Sequence, residues 1–246
     1  MRVLFLGTGG YHPNARRHTA CVMLPEIGLV FDAGSSFFRV ADHLMGNEVD
    51  IILSHAHLDH VCGLTYFLLP MATGEVNTVR VHATAPTIDA VKTHLFAEQL
   101  FPLLPYFKFC ELTADAPVSL PNEFKLTHTP LEHPSGSNGF RLDCGDRSMA
   151  YITDTTVDGT YTEFIRGVDL LIHECQFGDD MAEWAGKTGH SHTTPVAELA
   201  RDAGVGRLVL VHIDPQKTED DPIGIETARA IFPHTIVAED LLEIDF

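Results

Sequence analysis

The sequence predicts an α/β protein, a four-layer αββα sandwich in which two mixed β-sheets pack face to face with helices outside. Three observations predict it. Short apolar runs alternate with segments of helical periodicity; each half of the chain opens on strands in hairpins and closes on helices set between strands; and histidines and aspartates collect where strands end. With 246 residues, 45% of them hydrophobic, the chain can bury a large core. No Gly/Ser, Pro-rich or low-complexity tract divides it, so residues 1–246 are read as one domain.

The elements follow in order. "RVLFLG", "CVML" and "GLVFDAG" read as short strands joined by turns, "FFRVADHLMG" as an amphipathic helix, and "DIILSH" as a buried strand. "CGLTYFLLP" reads as a short helix stopped by Pro70, because proline lacks the donor a helix interior needs. "TVRVHA" is a strand, "PTIDAVKTHLF" a helix, and "FKFCEL" and "FKLTHTPL" are strands. "NGFRLDCGDRSMAYITD" forms a hairpin turning at Cys144-Gly145-Asp146. Helix "YTEFIRG", strand "VDLLIHE", helix "PVAELARDAG", strand "RLVLVH" and helix "IETARAIF" follow, then strands "TIVAED" and "LLEIDF". Pro195 behind Thr194 suits a first helical position and Gly204 a helix stop.

Composition narrows the function. The formal net charge of −18, with no Lys/Arg run, repels polyanions and makes an extended nucleic-acid footprint improbable. A small anionic substrate stays compatible, since bound cations invert the potential inside a cleft. The five cysteines are an odd number, scattered without C-x-x-C pairs, so neither a disulfide framework nor a zinc ribbon is suggested and buried free thiols are expected. No segment is apolar over the length of a membrane span, and "MRVLFLGTGG" reads as a first strand rather than a signal peptide, so a cytoplasmic location is expected. "LFAEQLFPLLPYFKF" is expected mostly to pack on the core, or else to overhang the site or join two copies in a homodimer.

The chemistry concentrates in "SHAHLDH". His55, His57, Asp59 and His60 place four metal-ligand side chains in six positions behind an apolar strand, a crowding that bound cations would relieve. His133, Asp154 and His212 each follow a later strand. Five histidines and two aspartates suffice for two ions sharing one carboxylate. No G-x-S-x-G occurs, and "GTGG" lacks the Lys-Ser/Thr of a phosphate-binding loop, so it reads as the turn leaving the first strand.

Across nearly its whole length the chain resembles the metallo-β-lactamase superfamily, in particular the branch holding the tRNA 3′-processing endonucleases and the small cyclic phosphodiesterases. The resemblance rests on "FLGTGG" with Pro13 and Arg17, "VFDAG", "SHAHLDH", "LEHPSGSNGF", "YITDT", "HECQF", "SHTTP" and "LVLVH", the H-x-H-x-D-H element being the most specific. It implies that His55, His57 and His133 bind one metal, that Asp59, His60 and His212 bind a second, and that Asp154 bridges them. It selects His133 over His128, which lies inside a strand. The cofactors implied are two divalent ions, zinc foremost, with manganese, iron or nickel as alternatives. Asp59 would also accept a proton from the attacking water. His192, in a His-Thr-Thr run before a helix, would be the proton donor, with His190 its neighbour and Glu174 the carboxylate orienting it. Asp32 would support a ligand imidazole or fix the turn with Gly34.

The resemblance implies a binuclear metal-dependent hydrolase, a phosphodiesterase acting through a metal-bridging hydroxide on a small, cyclic phosphodiester. Only 21 positions separate His133 from Asp154, room for a hairpin but not for the long arm that the tRNA-processing members carry there. The first cluster continues as Gly63-Leu64-Thr65-Tyr66-Phe67 rather than their "GLPGLL"-like run. tRNA processing is therefore the weaker expectation. The alternatives are acyl hydrolysis of a lactone or β-lactam and a cofactor-biosynthesis role on the same fold.

Overall fold

A computed structural model of the chain describes residues 1–113, 116–120 and 124–246. It comprises two compact units, Met1–Thr113 with Glu239–Asp245, and Ala114–Ala238 with Phe246. The strands are β1 (Arg2–Gly7), β2 (Cys21–Leu24), β3 (Leu29–Phe31), β4 (Glu48–Ile52), β5 (Thr78–Ala83), β6 (Lys108–Glu111), β7 (Val118–Ser119), β8 (Lys125–Leu131), β9 (Ser137–Cys144), β10 (Arg147–Ile152), β11 (Leu170–Glu174), β12 (Arg207–Val211), β13 (Thr235–Val237) and β14 (Leu242–Asp245). All but the short β7 are the strands expected from the sequence.

Each unit holds one mixed seven-stranded sheet, and the two repeat one scheme. The first is ordered β14-β1-β2-β3-β4-β5-β6, the second β13-β12-β11-β10-β9-β8-β7. In the first, pairing is antiparallel from β14 to β3 and parallel from β3 to β6. In the second it is antiparallel from β7 to β10 and parallel from β10 to β13. Parallel neighbours need crossovers while antiparallel ones need only turns, which is why each half opens on hairpins and closes on helices.

Within the first unit, alternate residues Leu4, Met23, Val49, Ile51 and Val81 enter one cluster with Phe37, Leu64 and Phe67 from the connecting segments. The intervening Phe5, Val22 and Phe31 are buried too. Strands buried on both faces explain runs that are apolar at every position rather than alternating. In the second unit, Ala150, Ile152, Leu171, Leu208 and Leu210 meet Val196, Ala197, Ala200 and Ala203 from the longest α-helix, where that spacing forms one apolar stripe.

The helices depart more from expectation. "FFRVADHLMG" supplies a 3-10 turn and one α-turn, α1 (Val40–His43). After α2 (Leu58–Val61) and a 3-10 segment comes α3 (Leu68–Ala72), which runs through Pro70. Pro70 stands in its first turn, where an N–H would have no intrahelical acceptor, so no bond is lost. "PTIDAVKTHLF" forms α4 (Ala85–Ala90) and then a π-helical turn over Val91–Leu95, in which the Phe96 amide donates to the Val91 carbonyl five residues back. "YTEFIRG" makes hydrogen-bonded turns, not a helix. An unforeseen helix, α5 (Ala182–Thr188), precedes α6 (Thr193–Ala203), whose Pro195 is the third residue rather than the first; Gly204 ends it at φ 66° as expected. α7 (Ile225–Ile231) leads to β13.

In "LFAEQLFPLLPYFKF", Leu95, Phe101, Phe107 and Phe109 pack on the core while Leu100, Leu103 and Tyr106 are exposed. No helix among the described residues is long and apolar enough to cross a membrane. All five cysteines are free. Burial pushes the thiols of Cys21 and Cys175 far up and that of Cys144 to about 11, which makes them weak nucleophiles.

Candidate metal centre

The first unit gathers His55, His57, Asp59 and His60 just beyond the end of β4. The ring of His55 lies 4.4 Å from that of His57 and 4.3 Å from that of His60. Asp59 Oδ2 is 3.4 Å from His60 Nε2. A buried base orients the rings: Asp32 Oδ2 is 2.8 Å from His60 Nδ1, and Asp32 Oδ1 accepts from the amide and hydroxyl of Ser54. Ser54 Oγ is also 2.9 Å from His55 Nδ1. With their Nδ1 atoms engaged, His55 and His60 can offer Nε2 to a cation, the arrangement in which an outer hydrogen bond fixes a ligating imidazole. Asp32 thus supports an imidazole, the first of the two roles considered for it.

Close backbone approach makes this possible. A Cβ on Gly34 would lie 2.3 Å from the Asp59 carbonyl oxygen, and one on Gly63 would lie 2.3 Å from that of Gly34. Glycine is needed at both positions if the "FDAG" turn is to touch the ligand-bearing segment. The "GTGG" loop approaches too: the Tyr11 amide donates to Asp59 Oδ2 at 2.8 Å.

The second unit gathers His133, Asp154, His190 and His212. Asp154 turns its two oxygens to different imidazoles, Oδ1 lying 3.3 Å from His212 Nε2 and Oδ2 3.8 Å from His133 Nε2. Thr153 Oγ1 also donates to Oδ1 at 2.8 Å. His133 Nδ1 is 2.9 Å from the Gly189 carbonyl oxygen, so Nε2 is its outward nitrogen. Asp154, His190 and His212 each offer one ligand atom, all within 4.8 Å of one another. Imidazole and carboxylate are the donors divalent transition metals take, so these three side chains fit such a cation, and those of the first unit are donors of the same kind.

Strain marks the same positions. Among the described non-glycine residues with positive φ are Asp32 (58°), Asp154 (41°), His212 (60°) and Tyr11 (59°). The left-handed region is costly for such residues and tends to be kept where a side chain must be aimed.

His190 and His192 part company. His190 Nδ1 is 3.0 Å from Glu174 Oε1, and its ring stacks on that of His212 at 5.3 Å. Glu174 is fully buried and also accepts from the amides of Thr155, Gln176 and Ser191. Burial alone would raise its carboxyl pKa; the imidazoles of His190 and His212 overcome that and hold it below the ordinary value. His192 instead stands at the N-cap position of α6 without a side-chain capping bond, its Nδ1 2.7 Å from Asp179 Oδ1, which also accepts from the Thr194 amide. Glu174 is therefore the orienting carboxylate of His190, not of His192 as expected. The physical reason is α5. Gly189 ends it in the left-handed conformation at φ 77°, and the His190 amide bonds back to Ala185, so His190 leaves a helix end rather than introducing the next helix. The visible signal was a glycine following "EWAGKT". His128 sits in β8 with its ring 6.4 Å from that of Phe140, as expected of a packing residue.

Comparison with known proteins adds the family. The model of the β-lactamase superfamily domain matches residues 29–213. A ribonuclease Z of Methanosarcina acetivorans is 29% identical over an alignment of 307 positions that covers 100% of this chain and 98% of the relative. Among solved structures, the metallo-β-lactamase-fold protein YhfI from Bacillus subtilis superposes with a TM-score of 0.81 at 22% identity, covering 99% of this chain and 98% of the other. The short form of human tRNase Z superposes with a TM-score of 0.77 at 22% identity, covering 100% and 98%. These likenesses show the fold, the metallo-β-lactamase fold that the sequence predicts.

Proposed function

Since the chain belongs to the β-lactamase superfamily, we propose that it is a metal-dependent hydrolase of small phosphodiesters, a single domain with one binuclear centre. His55, His57 and His133 would hold one divalent cation, Asp59, His60 and His212 the other, with Asp154 shared. Two such ions supply Lewis acidity at the phosphoryl oxygens and activate water at neutral pH.

The protein side chains do the rest. Asp59 takes up the proton lost by the attacking water, the Tyr11 amide holding its Oδ2 in place. His190 delivers a proton to the departing oxygen, and Glu174 fixes the ring through Nδ1. This His190–Glu174 pair, set among Asp154 and His212, is the observation that carries the reading. A phosphodiester expels a poor alkoxide leaving group that needs such a donor, whereas a strained acyl ring needs it less.

Three observations favour a compact substrate over RNA. The turn between β9 and β10 is only Gly145-Asp146. The alignment with the Methanosarcina relative spans 61 more positions than the 246 residues of this chain, so that enzyme carries segments absent here. The net charge is −18. The name ribonuclease Z carried by the curated relatives supports the second reading, cleavage of tRNA precursors.

The discriminating experiment measures turnover by one metal-loaded preparation on bis(p-nitrophenyl) phosphate, cyclic nucleotides, a cyclic ribosyl phosphate, a tRNA precursor with a 3′ trailer, a lactone and a cephalosporin. Hydrolysis of the small diesters without acyl hydrolysis is expected. Cleavage of the tRNA precursor alone would establish the second reading, and turnover confined to the lactone or cephalosporin would overturn both.

A further inference from the structure

We propose that a pocket in the first unit, beside the ligand-bearing segment, receives one apolar six-membered aromatic ring of the substrate, an aryl group; this rests on the phosphodiester reading above. The pocket encloses about 170 Å³. Ala56, Leu58 and Val61 form one side of it, and Ala90, His94 and Leu95 line it from α4 and the π-helical turn.

Its position ties it to the site. Ala56 and Leu58 are chain neighbours of His55, His57 and Asp59, so the pocket borders the segment that would hold the cations. Its chemistry selects the ring. A sugar or charged group would give up hydrogen bonds to water against these apolar walls, while an aromatic ring gives up none and leaves its edge near a single imidazole, that of His94. The size agrees, since an apolar cavity of roughly 150 Å³ accepts benzene. Leu58 is 69% exposed, a leucine presented to solvent between candidate ligands, and an occupant would cover it. The π-helical turn is a second irregularity on the same wall, and such turns recur at functional sites.

The test is calorimetric titration of metal-loaded protein with phenyl phosphate and methyl phosphate, which share the anionic group and differ in the ring. Wild type should bind phenyl phosphate about tenfold or more tightly than methyl phosphate. Ala90→Phe, which fills the pocket, should abolish the difference and leave the Kd of methyl phosphate unchanged. Leu58→Ser, at an exposed position whose change leaves folding intact, should reduce the preference. Equal affinities in wild type, or a preference that survives Ala90→Phe, overturn the proposal. So does Leu58→Ser if it alters the oligomeric state and not the preference, because the pocket would then belong to a contact between copies. Failure of the phosphodiester reading shows separately, as absence of diester turnover by wild type.

Discussion

At the scale of single residues, two histidines two positions apart meet different partners. His190 faces a fully buried carboxylate and stacks on His212; His192 faces Asp179 at a helix start. Proton donation matters in proportion to the basicity of the leaving oxygen. His190→Ala should therefore lower turnover of a diester of a simple alcohol by about 10²- to 10⁴-fold and that of a p-nitrophenyl diester far less. His192→Ala should leave the ratio of the two rates unchanged. Kinetics on a matched pair of substrates check this, and a leaving-group-dependent loss in His192→Ala instead would return the role to that residue. "GHSH" could not separate the two because the burial of Glu174 is not written in residue type, and Gly189 signals a helix end only once α5 before it is recognised. The first cluster was legible as a set of candidate ligands because His55, His57, Asp59 and His60 lie within six consecutive positions.

At the scale of elements, strands were easier to read than helices. An apolar run behind a turn identifies a buried strand whatever its partners, whereas α1 to α4 are four to six residues long and their limits depend on tertiary contacts. α5 escaped notice because "AEWAGKT" carries glycine and few apolar residues. Pairs of strands also carry polar networks that a run of letters hides. Asp50 on β4 stands opposite Arg80 on β5, accepts from its Nε and Nη2 at 2.7 and 2.9 Å, and lies 2.8 Å from His82 Nε2. Burial would raise the Asp50 pKa, but the bonds from His82 and Arg80 prevail and hold it below the ordinary 3.8. A carboxyl with a depressed folded pKa contributes stability that is present above 3.8 and is lost as pH falls through the folded value. Asp50→Asn should cost ~2 kcal/mol at neutral pH and flatten the decline in stability below pH 3.8, as urea unfolding across acid pH would show. An unchanged acid profile would mean that Asp50 is not a source of that dependence.

At the scale of the whole molecule, one scheme of hairpins followed by crossovers appears twice, and each time the segments beyond the strand ends carry the histidines and aspartates. That placement was legible from sequence, since each candidate ligand follows a recognisable strand. The choice of substrate was not, because it rests on lengths of connections and on pocket walls such as Ala56 and Leu58. An acidic surface suits a small anion only if cations reverse the field locally, so everything claimed for catalysis depends on metal occupancy. The direct test is elemental analysis of protein purified without chelator. It should find close to two divalent transition-metal ions per chain, falling in Asp154→Ala. A content near zero that incubation with zinc or manganese does not raise would contradict the binuclear centre.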